Sequence, residues 1–309
     1  MEKNEVRELL PKSCLKAFDD IVEGRSLGAS NHIKMISAMY VDIAAENDEV
    51  IASEKIRIVG DFFKETRGKS SYAIVLALAK IEAKIEAGST AYEMRVKAAR
   101  DAYFNEAEED LKKLLTYTQR LMAKMSCIMI FDYSSTVEKA VCQADQKLVV
   151  YIPESRVING GYPFVKGIVE SGHTVHFIPD ASMLSVLDKV DAVFIGAETF
   201  YPDGTAFNTI GSDILAELCM LRHVPYYVLT PLIKGDIRAR YGIYKEVLTK
   251  DLKNELAAQW PEELKERVAF ESIELVGVRP ECITAYVCEK GILKTSDLFS
   301  MICKEEMPC

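Results

Sequence analysis

The chain has 309 residues, with 38 Lys and Arg against 47 Asp and Glu, giving a net charge of −9 and no basic block; a DNA- or RNA-binding role is excluded on charge. Its length is enough for two domains, and 49% hydrophobic residues fit an ordinary soluble globular protein. The longest apolar runs, near Ala73 to Leu78 and Ile128 to Phe131, fall far short of the roughly 20 residues that cross a membrane, and the start MEKNEVRELLPK has no apolar signal-peptide stretch, so a cytoplasmic protein without a membrane partner is expected.

Residues 1–120 carry almost no strand signal. Charged and apolar residues recur at helical spacing over Val50 to Phe63, Ser71 to Glu86 and Ala91 to Met122, with breaks at Gly24 to Ser30, Thr66 to Ser70 and Gly88-Ser89. From Cys127 the pattern changes to short apolar strands alternating with helices. The expected strands are Cys127 to Phe131, Leu148 to Ile152, Thr174 to Ile178, Ala192 to Gly196 and Tyr226 to Thr230, with later ones near Glu271 to Val276 and Ala285 to Cys288. This alternation predicts an α/β protein: a helical domain over 1–123, then a Rossmann-like, doubly wound parallel-sheet domain over 124–309. The last helix runs into the boundary, so continuous structure rather than a flexible linker is expected between them.

Eight cysteines include no C-x-x-C pair, and Cys127, Cys142, Cys219, Cys282 and Cys288 lie in apolar patterns, as buried reduced thiols do. His32, His173, His176 and His223 are scattered without ligand spacing. Neither a metal nor a cofactor is expected.

The stretch 187–236 is the most informative. Two apolar strands there end where polar groups gather, and open α/β sheets place ligands beyond the carboxyl ends of their strands. Asp132 and Glu198 stand just past two such ends. On adjacent strands they would face one crevice, one carboxyl as acid and the other as base. Alternatively Asp132 caps the helix beginning near Ser134, and Glu198 binds backbone amides of its loop. Arg156, close to Asn159-Gly160-Gly161, either clamps a phosphate or pairs with a neighbouring acid. Asn208-Thr209-Ile210-Gly211-Ser212 reads as a helix start, where backbone amides attract phosphate or Asn208 serves only as a cap; Ser134 and Ser135 open a second such helix. Two polar, glycine-containing breaks, Arg25 to His32 and Lys64 to Ser71, are candidates to supply cations.

The ordered blocks Tyr133-Ser134-Ser135-Thr136-Val137, Glu154-Ser155-Arg156, Gly196-Ala197-Glu198, Asp203-Gly204, Asn208-Thr209-Ile210-Gly211, Val224-Pro225-Tyr226-Tyr227-Val228, Pro280-Glu281-Cys282-Ile283-Thr284 and Glu289-Lys290-Gly291-Ile292 resemble one superfamily. It comprises the initiation factor 2B alpha, beta and delta subunits, the methylthioribose-1-phosphate isomerases and the ribose-1,5-bisphosphate isomerases. In the isomerase branch, two N-terminal loops hold the sugar phosphate; Gly28-Ala29 and Thr66-Arg67 match parts of them, while Arg25 is displaced and Gly68-Lys69 replace Pro-Thr. The branch's catalytic Cys aligns with Asp132 and its catalytic Asp with Glu198. The Lys of its Asn-Lys-Ile-Gly is Thr209, and a Gln is replaced near Gly160. Misplacing a reacting group by near 1 Å costs about 10²-fold in rate, so the branch's mechanism does not transfer.

Tyr133-Ser134-Ser135-Thr136-Val137 is more similar to the regulatory branch, which implies a scaffold that dimerises through the α/β domain and retains a sugar-phosphate or nucleotide pocket. The resemblance therefore implies a regulatory or scaffold protein, a homodimer that takes further protein subunits. Its phosphorylated sugar or nucleotide would be held by Arg25, Gly28, Ala29, Arg67, Ser134, Ser135, Arg156, Asn208 and Gly211, with Asp132 and Glu198 on the ligand hydroxyls. The alternative is a sugar-phosphate isomerase using the Asp132 and Glu198 pair.

Overall fold

The structure, a computed structural model, describes residues 2–26, 28–85, 87–245, 247 and 249–306, with residues 304–306 described by their backbone alone. The chain divides into two compact units, Met1–Glu109 with Ile233–Asp236, and Asp110–Leu232 with Ile237–Cys309. The division falls inside a long helix, ahead of the change in composition at 123/124.

The first unit holds α1 (Lys3–Glu8), α2 (Leu15–Val22), α3 (Ala29–Glu46), α4 (Glu49–Thr66), α5 (Tyr72–Ala83) and the start of α6 (Tyr92–Met122). Apolar residues at helical spacing give α2, α3, α4 and α5 their buried residues. Asp48 starts α4 by accepting from the amides of Val50 and Ile51, each at 3.0 Å. The buried stripes meet around Phe18, Phe62 and Phe63, whose ring centroids lie 5.3–5.5 Å apart. Each fully buried ring stabilises the unit by about 1.5–3 kcal/mol. The expected helix end at Glu86 lies outside the described residues.

The second unit is built on a seven-stranded sheet. Its strands β1 (Cys127–Phe131), β2 (Val149–Pro153), β3 (Thr174–Ile178), β4 (Ala192–Ile195), β7 (Tyr226–Leu229) and β11 (Ala285–Cys288) are parallel, and β12 (Gly291–Leu293) closes one edge antiparallel. Between β4 and β7 come β5 (Thr199–Phe200) and β6 (Ala206–Thr209); β8 (Thr249–Asp251), β9 (Glu271–Ile273) and β10 (Leu275–Val278) follow β7. The crossing helices are α7 (Ser135–Cys142), α8 (Tyr162–Glu170), α9 (Met183–Val186) and α10 (Ser212–Arg222); α11 (Lys253–Leu256), α12 (Glu262–Lys265) and α13 (Leu298–Glu306) complete the chain. The strand order is β12-β11-β7-β4-β1-β2-β3. From β1 the chain moves outward through β2 to β3, returns to lay β4 on the other side of β1, and then moves outward the opposite way. Strand order thus reverses between β1 and β4, the place where open α/β sheets bind ligands. β1 and β4 are buried along nearly their whole length, and their apolar side chains join Phe164, Leu229 and Val287 in one core.

Two regions differ from the sequence reading. The segment after β4 is a β-hairpin, β5 with β6, extended by β10 into a three-stranded sheet. Asn208 and Thr209 therefore lie on a strand, and α10 begins only at Ser212. The expected strand over Glu271 to Val276 is two strands in different sheets, with β9 pairing β8 and β10 pairing β6. Gly277 inside β10 and polar residues along β6 and β8 hide these short strands from a search for apolar runs.

Candidate functional site

Phe131 of β1 lies opposite Ile195 of β4, so Asp132 and Glu198 leave the sheet from adjacent strands at one rung of the reversal. Asp132 is 5% exposed. Its Oδ1 accepts from Ser155 Oγ at 3.2 Å, and its Oδ2 accepts from Thr209 Oγ1 at 2.9 Å. Burial pushes its carboxyl above the usual carboxylate range and the charge of Glu198 adds to this; the two hydroxyls and the Tyr133 amide pull the other way, and burial wins. Glu198 is half-buried, its amide donates to Phe207 O at 2.8 Å, and no group among the described residues bonds its carboxylate. Neither acid acts as a helix cap.

The backbone here is shaped around the carboxyl. Asp132 and Ser155 both take left-handed conformations, at φ 58° and φ 49°, and such positions concentrate where structure serves a site. Gly160 packs against Asp132 so closely that a Cβ there would overlap Oδ1. At Gly211, φ is 101° and a Cβ would stand 2.8 Å from Phe131 Cζ, so only glycine lets the start of α10 approach the end of β1.

Near this point, buried polar atoms lack partners among the described residues: Asn208 Nδ2 on β6, Ser212 Oγ at the first position of α10, and Thr230 Oγ1 just past β7. A buried donor or hydroxyl left unpaired costs about 1–3 kcal/mol, so each is a position that water or a polar ligand would complete; Ser71 Oγ in the first unit is a fourth.

The other expected site residues fall out as follows. Ser134 caps α7, its Oγ accepting from the Val137 amide at 3.4 Å, and Ser135 is exposed at the first position of that helix. The exposed Arg156 donates from Nη2 to Glu255 O at 3.0 Å and faces Glu154 at 3.6 Å. Asn208 is buried on β6, and Gly211 is the residue before α10. Arg25, Gly28, Ala29 and Arg67 belong to the first unit. There Arg25 pairs with Asp20 at 2.6 Å and with Glu23; Gly28, at φ 87°, leads into α3, whose first residue Ala29 is buried. Arg67 ends α4 and donates to Ile21 O, and partial burial pulls its pKa down. Leu27, within the first of the two cationic breaks, lies outside the described residues.

The bonds of the Ser155 and Thr209 side chains to Asp132, and the hold of Asp180 on the loop after β2, are visible only in the structure. Nothing in the spacing singles out the first two, because a hydroxyl at a strand end is usually a cap. Asp180 had the same signal as Asp132, an acid just past a strand. Burial pushes the Cys14, Cys219 and Cys288 thiols up to about 12, which disfavours the reactive thiolate at these three positions. His173 is satisfied, with Nδ1 accepting from the Leu148 amide at 3.2 Å and Nε2 donating to Val141 O at 2.9 Å. Among the described residues no cluster of His, Cys, Asp and Glu could hold a metal ion, and no helix is long and apolar enough to cross a membrane.

Comparison with known proteins finds relatives of two kinds. It is 24% identical over 295 residues to methylthioribose-1-phosphate isomerase 1 of Pseudothermotoga lettingae, covering 88% of this chain and 79% of that protein. It is 23% identical over 230 residues to the putative translation initiation factor eIF-2B subunit 2-like protein of Pyrococcus furiosus, covering 73% and 80%. Two solved structures share its fold. Translation initiation factor eIF-2B from Pyrococcus horikoshii OT3 superposes with a TM-score of 0.75 at 19% identity, covering 92% of this chain and 98% of that one. 5-Methylthioribose 1-phosphate isomerase from the same organism gives 0.70 at 15% identity, covering 97% and 92%. Residues 23–295 match the sequence model of the initiation factor 2 subunit family, and the chain belongs to that family.

Proposed function

We propose that the crevice at the carboxyl ends of β1 and β4 binds a phosphorylated sugar or nucleotide, in a regulatory or scaffold protein that forms a homodimer and takes further subunits. The observation that carries this reading is that Asn208 Nδ2 on β6, Ser212 Oγ at the start of α10 and Thr230 Oγ1 past the end of β7 are buried without partners among the described residues, in the unit whose sheet reverses beside Asp132 and Glu198. A phosphate at the start of α10 would meet amides of the first turn beside the Asp213 carboxylate, which already accepts from the Gly211 amide at 3.1 Å, with the Ser212 hydroxyl and the Asn208 amide as added donors. The two acids would accept from sugar hydroxyls.

A second reading, a sugar-phosphate isomerase, is favoured by the raised carboxyl of Asp132 beside the unbonded carboxylate of Glu198. Glu198 would take a proton from the carbon next to the carbonyl and return it to the former carbonyl carbon. The hydroxyl proton passes to the carbonyl oxygen through Asp132, so the aldose becomes a ketose with no net gain or loss.

Thermal unfolding against pentose phosphates, pentose bisphosphates, methylthioribose phosphate and nucleoside monophosphates tests both. Ligand at 100 times its Kd stabilises the native state by about 2.7 kcal/mol, a shift of a few degrees. A selective shift, reduced in Asn208→Ala, is expected; no shift with any compound overturns the ligand reading. Turnover of the compound that binds, abolished in Glu198→Gln, would establish the isomerase. The dimer is checked by sedimentation equilibrium, where a monomer at micromolar concentration would refute it.

A further inference from the structure

Asp180 follows β3, outside the crevice, and its half-buried carboxylate does one thing. Oδ1 accepts from the Ser155 amide and Oδ2 from the Arg156 amide, both at 2.9 Å. A single carboxylate thereby grips two consecutive amides of the loop after β2. Between them sits the left-handed turn at Ser155, a conformation that a non-glycine residue keeps only when its surroundings hold it. The Ser155 carbonyl in turn accepts from the amides of Ile158 and Gly160 at 3.3 and 3.2 Å, which sets Gly160 against Asp132. Ser155 itself is 1% exposed, and its hydroxyl reaches Asp132 Oδ1.

From this chain of contacts we infer that Asp180 is a positioning residue for the crevice, holding Ser155 and Gly160 so that the Asp132 carboxyl keeps its place and its hydroxyl donor. The inference rests on Asp132 belonging to a ligand site, as proposed above, but it names a residue that touches no ligand and acts from the neighbouring strand. The Ser155 hydroxyl favours the ionised form of Asp132, since a donated hydrogen bond stabilises a carboxylate. Among the described residues Glu198 is the charged group facing Asp132, and it is the same in every variant below.

The test is a cycle of Asp180→Ala and Asp132→Asn, with melting temperatures at pH 5 and pH 8. Losing the grip on Ser155 makes the ionised Asp132 less favourable, so Asp180→Ala should lose more stability between pH 5 and pH 8 than the parent, by about 2–4 °C. That extra loss should vanish when Asp132 is Asn. A loss equal at both pH values, or unchanged in the Asp132→Asn background, would mean Asp180 merely braces the loop and would overturn the inference. Asp180→Asn keeps one acceptor and should give a smaller effect of the same kind, so it carries the cycle if the Ala variant does not fold. Parent protein is also melted with ribose 5-phosphate and the other compounds named above. No shift there sinks the ligand reading while the cycle still decides whether Asp180 governs Asp132.

Discussion

Asp132 is the most closely constrained carboxyl at the reversal between β1 and β4. Asp132 is buried by Gly160, served by two hydroxyls and faced by another acid, so its proton affinity is set by burial against hydrogen bonds. Its pKa is raised in the folded state. The stability it contributes is therefore fully present below the unfolded Asp value of about 3.9, and is lost as pH rises through the folded value. Asp132→Asn removes that dependence, and Asn tolerates the left-handed backbone at this position. Denaturant unfolding should find Asp132→Asn gaining on the parent protein between pH 5 and pH 8. A gap that stays constant would mean that the folded carboxyl is already ionised at pH 5. The same residue illustrates what sequence can reveal. An acid directly past an apolar strand is visible as a candidate, but its partners are not, because Ser155 and Thr209 lie 23 and 77 residues away and carry ordinary hydroxyls.

At the scale of elements, apolar strands were legible, including the exposed edge strand Thr174–Ile178, and short polar ones were not. Cys127–Phe131, Thr174–Ile178 and Ala285–Cys288 are apolar or β-branched runs whose ends are fixed by a change to polar residues or a turn. β5 and β6 were hidden because Thr199 and Asn208 offer no apolar alternation, and a Pro-Asp-Gly turn between them reads as loop. Asn208 was accordingly placed at a helix start, although it sits on a strand with Nδ2 turned into a buried, unpartnered position. The helix start itself depends on Gly211. Gly211→Ala would strain a φ of 101° and press a methyl against the buried Phe131 ring, a cost of about 1–3 kcal/mol. Urea unfolding measures it directly; a loss below about 0.5 kcal/mol would mean that α10 can shift away from β1 freely.

Across the whole chain, the strand reversal at β1 and β4 means that Asp132 acquires its partners in two instalments. The Ser155 bond closes a short stretch, whereas the Thr209 bond waits for β2, β3, β4 and the hairpin to be in place. Closing distant contacts is slow because loop entropy is lost before the contacts form. Refolding followed by pulsed hydrogen exchange should protect amides of β2 before those of β4, and simultaneous protection would refute this order. A nascent chain that has emerged only as far as β3 would thus carry half of the carboxyl's shell and none of the polar groups of β6 and α10. A ligand needing both halves can recognise only a chain that has finished closing. It would then slow unfolding and leave the rate of folding untouched, acting as a lock on the completed molecule and not as a guide to its assembly.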